Sequence, residues 1–183
     1  MTFDPAILPR GGKRQLDFRV IDVQSMCIAY AKRRCRYVAL SYVWGRPNKD
    51  RLVLTSHNEE SLTRPGALDD ARDSIPACIL DSITAVRNLG ERYLWVDALC
   101  LLQDDPNELQ TCVAVMDLFY EMAVLTIIAA CGEDAYSGLQ GVPPTPRKLN
   151  VVIKAIQPGL DMTTKVDVEV LLRRSNYSTR AWT

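Results

Sequence analysis

Apolar positions fall into short runs separated by polar, proline- and glycine-rich stretches. Tyr37-Val38-Ala39-Leu40 is apolar at four successive positions, which reads as a central strand covered on both faces. Tyr93-Leu94-Trp95-Val96 is a second such run, and residues 124–130 are a third. Residues 16–23 alternate Leu16, Phe18 and Val20 with Asp17 and Arg19, predicting a further strand. Between the second and third runs the period changes from strand to helix. Ile75, Ile79, Ile83 and Val86 share one helical face over 74–89, with Ser74 as the expected cap, Pro76 in the first turn and Gly90 at the stop. A second helix opens at Asp105-Pro106, capped by Asp105, with Glu108 in its first turn. Its apolar stripe is Leu109, Cys112, Val113, Met116, Phe119, Tyr120 and Ala123. Strand–helix alternation with short connections predicts an α/β fold: a mostly parallel central sheet with flanking helices and right-handed crossovers. Residues 149–156 and 166–172, joined through Pro158-Gly159, predict an added C-terminal β-hairpin. Residues 1–15 read as a loose arm and residues 46–73 as polar loop, with 51–55 as a short strand at most.

Two of the apolar runs end on chemistry. The run at 93–96 meets Asp97, a residue that a buried strand interior would not tolerate unpaired, and Gln103, Asp104 and Asp105 follow. The run at 37–40 turns polar at Ser41, and Tyr42, Trp44 and Gly45 follow. In open α/β sheets ligands bind at the carboxyl ends of the strands. Ser41 and Asp97 are therefore expected to open side by side into one hollow. The competing reading is a strand leading into a capped helical turn, with the Tyr and Trp polar atoms satisfied locally. Ser41, His57 and Asp97 could be drawn as a triad, but no G-x-S-x-G turn supports one.

Composition narrows the function classes. Lys+Arg and Asp+Glu both number 22, so no basic excess points to nucleic acid or to an anionic membrane. The longest apolar run, 122–131, is far shorter than a bilayer span. The N-terminus lacks the basic and apolar regions of a signal peptide, so a cytoplasmic location is expected. The six cysteines include no C-x-x-C pair and His57 is the single histidine, so no metal site is expected. Neither a G-x-G-x-x-G nor a P-loop pattern occurs, so no tightly bound dinucleotide is expected.

Ala39-Leu40-Ser41-Tyr42-Val43-Trp44-Gly45 and Tyr93-Leu94-Trp95-Val96-Asp97-Ala98-Leu99-Cys100, with Gln103-Asp104, resemble the heterokaryon incompatibility (HET) domain of filamentous fungi. Met116 with Tyr120 and Ala123, then Gly138-Leu139-Gln140-Gly141, then Arg180-Ala181-Trp182-Thr183 follow in the family's order. The resemblance runs from about Phe18 to the last residue and makes 16–183 the HET-like domain. It implies non-self recognition and regulated cell death, acting through protein partners or self-association. HET domains are distantly similar to TIR domains, flavodoxin-like modules of which some cleave NAD at the nicotinamide–ribose bond. That analogy implies NAD as a substrate, Asp97 and Glu108 as candidate catalytic carboxylates, and Ser41, Tyr42, Trp44, Gln103, Asp104 and Trp182 as candidate ligand-binding residues. The family motif usually continues past Trp-Thr with Gln-Glu, whereas this chain ends at Thr183; on that expectation the domain is truncated and cleavage impaired. The resemblance would also place an amide at Cys112 and Asn at Leu102, which this sequence lacks.

Overall fold

A computed structural model describes residues 10–11, 14–15, 17–32, 34–147, 153–163, 167–173 and 175–179. Most of the expected N-terminal arm and all of 180–183, including Trp182, lie outside the described residues. Two-residue strands β1 (Arg10–Gly11) and β2 (Arg14–Gln15) pair with each other. The main sheet contains β3 (Arg19–Asp22), β4 (Cys27–Tyr30), β5 (Val38–Ser41), β6 (Tyr93–Trp95) and β7 (Leu125–Ile128), in the order β4-β3-β6-β5-β7. Short helices α1 (Glu59–Leu62) and α2 (Ala67–Asp70) precede α3 (Ala77–Asn88). The single turn α4 (Asp97–Cys100) follows β6, and then come α5 (Pro106–Val113) and α6 (Met116–Glu121). A separate hairpin, β8 (Ile153–Gln157) and β9 (Leu160–Thr163), is followed by α7 (Val168–Arg173).

The three apolar runs became β5, β6 and β7. β6 lies parallel to β5, and β5 parallel to β7, as two strand–helix units require. The expectation of a mostly parallel sheet is corrected on the other side. β3 pairs antiparallel with both β4 and β6, so the sheet is mixed. No helix separates β3 from β4, and a connection that short can only reverse the chain. Asp22 builds the reversal: its Oδ1 accepts from the N–H groups of Gln24 (3.0 Å) and Ser25 (3.1 Å).

Asp22 also accepts from Arg92 Nη2 at 2.7 Å, tying the β3–β4 turn to the start of β6. Burial alone would raise the Asp22 pKa, but the Arg92 bond and the two turn N–H groups outweigh it and hold the carboxyl below the ordinary range. A depressed folded-state pKa contributes stability that is present above the unfolded value and is lost as pH falls through the folded one. Asp22→Asn should therefore lose stability less steeply than the parent chain as pH falls below about 4, as read by urea melts at each pH.

Other departures have local causes. α3 begins at Ala77, not Ser74. Ser74 closes a 3-10 turn, and its carbonyl accepts from Leu52 N at 2.8 Å, leaving Pro76 at the cap position. The single helix expected over 105–123 is two, because Ala114 and Val115 break the ladder between α5 and α6. Asp105 does cap α5, accepting from Asn107 N and Glu108 N. Residues 51–55 join no ladder; Leu52 N and Leu54 N donate to Ser74 O and Ala98 O instead. The C-terminal hairpin turns at Pro158-Gly159 as expected, but 168–173 is helix, not strand. Asp167 Oδ1 accepts from Glu169 N at 3.0 Å, and Glu169 pairs with Arg173 at 2.6 Å, both of which favour helix. Residues 149–152 of the expected strand lie outside the described residues.

The core sits between the sheet and its helices. Every residue of β5 is buried, and Trp95 of β6 is fully enclosed. Phe18, Tyr37, Trp95, Phe119 and Tyr120 form an aromatic cluster with centroid spacings from 5.0 to 5.7 Å. Tyr37 donates its hydroxyl to Phe119 O at 2.6 Å, so the buried phenol is satisfied. Among the described residues no helix is long and apolar enough to cross a membrane.

Candidate functional site

Parallel pairing sets the geometry at the sheet's carboxyl edge. Val38 lies opposite Leu94 and Ala39 opposite Trp95. Ser41 ends β5 and Asp97 follows two residues after β6, so both lie at the carboxyl end of adjacent parallel strands.

Asp97 leaves β6 at the first position of α4. Its Oδ1 accepts from Ala98 N at 2.8 Å and its Oδ2 accepts from Trp44 Nε1 at 2.9 Å. The carboxylate thus bridges the two loops that leave β5 and β6. Tyr42 stacks on Trp44, with ring centroids 6.4 Å apart and 21° between planes. The Tyr42 hydroxyl is buried close to the Asp97 carboxylate. Burial first, and then the Asp97 charge, push its phenol well above the usual range. Ser41 Oγ lies 3.0 Å from the hydroxyl of Tyr177, which reaches this edge from the C-terminal segment.

Gly45 lets the chain turn away here. Its φ is +77°, and a side chain at this position would collide with the Asp134 Cβ. Gly45→Ala should cost roughly 1–3 kcal/mol, read as a lowered thermal midpoint with altered tryptophan emission from Trp44.

The remaining sequence candidates face other tasks. Gln103 donates from Nε2 to Asp97 O and Leu101 O, both at 3.0 Å, clamping the turn after α4. Asp104 accepts from Ser56 N at 2.9 Å and from Ser56 Oγ at 2.6 Å, pinning the 55–58 loop. Those Ser56 bonds hold its carboxyl below the ordinary range. His57 Nδ1 is 3.6 Å from Asp104, and the imidazole is almost wholly exposed. Ser41, His57 and Asp97 show no triad geometry: Ser41 faces Tyr177, Asp97 faces Trp44, and His57 faces Asp104. Glu108 is buried, with Oε1 accepting from Arg19 Nη1 at 2.8 Å and from Leu102 N at 2.9 Å. Leu102, where the resemblance would place Asn, is itself buried. Cys112 is buried on α5, where an apolar environment pushes its thiol up to about 12. Two residues at this edge gave no signal in the sequence. Tyr177 lies in a segment for which the sequence predicts no element, and Arg51 opens the stretch expected to be a short strand at most.

Compared with known proteins, the chain matches the family model for Heterokaryon incompatibility protein (HET) over residues 37–183. It belongs to the HET family. The match takes in β5, β6, β7 and the whole carboxyl edge, and leaves β3 and β4 outside. Heterokaryon incompatibility protein 6, OR allele, of Neurospora crassa is 28% identical to this HET chain over 102 residues. That alignment covers 50% of the chain and 14% of the relative, so the HET chain corresponds to a small part of that protein. No solved structure matches it. Among the described residues no group of three or more His, Cys, Asp and Glu side chains could hold a metal ion.

Proposed function

We propose that this HET domain acts in the cytoplasm in fungal non-self recognition and the cell death that follows, by assembling with other protein chains and without chemistry of its own. The observation that carries this reading is the commitment of both candidate carboxylates to the fold. Cleaving a glycosidic bond to nicotinamide needs a carboxylate poised beside the ribose, where positive charge develops. Glu108 spends its oxygens on Arg19 and Leu102 N, out of solvent. Asp97 spends its oxygens on Trp44 and Ala98. Both act as struts.

Assembly has a surface to use. β7 is an edge strand whose outer side has no partner strand among the described residues, and Leu125 and Ile128 are 46% and 47% exposed. An apolar open edge is a template for adding a strand from a second chain. Sedimentation velocity should show concentration-dependent self-association that Leu125→Lys with Ile128→Lys abolishes while leaving the melting temperature within a few degrees. A strictly monomeric parent chain at high concentration would count against assembly through like copies.

One observation favours a second reading, a TIR-like NAD hydrolase. Trp44 bonds Asp97 and Ser41 ends the neighbouring strand, all at the carboxyl end of three parallel strands, β6, β5 and β7. Incubation with NAD separates the two readings. The assembly reading expects no nicotinamide above the buffer blank. Release that Asp97→Ala eliminates would establish the hydrolase instead.

A further inference from the structure

Among the described residues two arginines are buried, and they are held differently. Arg19, 3% exposed, is gripped by two glutamates. Arg51, 7% exposed, has no carboxylate within ion-pair distance among the described residues. Taking a guanidinium from water without a counter-charge costs several kcal/mol, so its neighbours must compensate in part. Arg51 Nη2 donates to Trp44 O at 2.7 Å and to Arg46 O at 3.2 Å. The guanidinium carbon lies 5.4 Å from the Trp44 ring centre and 5.7 Å from that of Tyr136. Two carbonyls and two aromatic faces hold the cation but leave it un-neutralised. Among the described residues Nε is buried without a partner, and Nη1 makes no hydrogen bond.

This cation borders open space. Arg51 lines a cleft of about 530 Å³ walled by the loop after β5 and the loop after β7, and a neighbouring hollow of about 320 Å³ adjoins it. Both loops leave the carboxyl ends of parallel strands, the usual place for a ligand in such a sheet. The volume suits a small molecule. Asn48 Nδ2 donates to the Tyr136 hydroxyl at 2.8 Å, holding the walls together. Lys49 lines the adjoining hollow and Arg46 the cleft itself, so three cationic side chains gather there. Opposite them, Asp134 has its Oδ1 taken by Tyr136 N and Ser137 Oγ. Glu133 is the one other acid lining the cleft.

We propose that this cleft binds a small molecule through a phosphoryl group, with Arg51 as the anchoring cation. Arginine presents planar paired donors that match the oxygens of a phosphate monoester, and its aromatic supports fix the direction in which they point. Trp44 connects this site to the strand ends: its carbonyl accepts from Arg51 while its indole donates to Asp97. Occupancy would therefore be felt at Asp97. The proposal does not depend on whether the domain assembles or cleaves NAD.

The test is a titration of the full chain with inorganic phosphate and, separately, with adenosine 5′-monophosphate, read by tryptophan emission and by calorimetry. The parent chain should bind saturably. Arg51→Gln should weaken binding at least about tenfold, the order expected for loss of a charge-assisted pair. Because Arg51 also braces the 44–46 turn, Glu133→Gln provides a variant outside that brace. It removes a repulsion and should tighten binding about threefold. Tighter binding of the nucleotide than of phosphate would assign the carrier to the cleft's apolar wall, and equal binding would confine recognition to the phosphoryl group. No saturable signal from either probe, or unchanged affinity in either variant, overturns the proposal.

Discussion

Arg19→Ala should cost about 3–5 kcal/mol, a large part of the 5–15 kcal/mol that holds a domain of ordinary stability together. The side chain donates from Nε to Glu59 at 2.5 Å and from Nη1 to Glu108 at 2.8 Å, linking β3 to α1 and α5. Truncation leaves Glu108 buried in the first turn of α5 with no cation, and an uncompensated buried charge is the expensive outcome. Glu108→Gln is the informative partner. It removes the charge yet keeps an acceptor for Leu102 N, and should cost only about 1–3 kcal/mol. Urea unfolding of the three proteins measures both, with the slope unchanged if the unfolded ensembles match. Equal losses in the two variants would mean that the charge itself matters little.

Trp95→Ala should be comparably damaging, about 3–5 kcal/mol, because the indole is fully enclosed at the centre of the sheet. Its ring lies 5.1 Å from Phe119 and 5.7 Å, edge-on, from Tyr120, so truncation opens a cavity where β6 meets α6. Trp95→Phe should lose roughly 1–2 kcal/mol. The Trp95 Nε1 is buried with no hydrogen-bond partner among the described residues, so phenylalanine forfeits packing and none of the polar contacts described. A thermal melt of each variant, compared at the midpoint of the parent, decides whether the two costs separate as stated.

The parts of this architecture that could be read in the sequence are those whose neighbours lie on both faces. Tyr37 to Leu40 and Leu94 to Val96 are apolar without alternation because both faces are buried, and their parallel arrangement follows from the helices between them. That polarity also put Ser41 and Asp97 at the same end. β4 was illegible because Cys27-Ile28-Ala29-Tyr30 is four residues long, with burial that fades toward Tyr30. Its pairing with β3 depends on the Asp22 turn, which one residue decides. The helix at 168–173 is rich in Val and Leu and so reads as strand, until Asp167 and the Glu169–Arg173 pair are taken into account. At the site, Glu108 has the spacing of a helix first turn, and nothing nearby in the chain announces Arg19. Ionic partners brought together by folding leave no local trace, and Arg51 with its two aromatic supports belongs to the same class.

The order of the sheet has a consequence for synthesis. β3 and β4 close as a hairpin as soon as Tyr30 is available, whereas β5 pairs only with β6 and β7, both made long afterwards. Val38-Ala39-Leu40, wholly buried in the folded domain, must therefore wait unpaired while the whole of α3 emerges behind it. Nascent chains of this domain should depend on chaperones during that interval, and refolding from denaturant should be slow and yield-limited at high protein concentration.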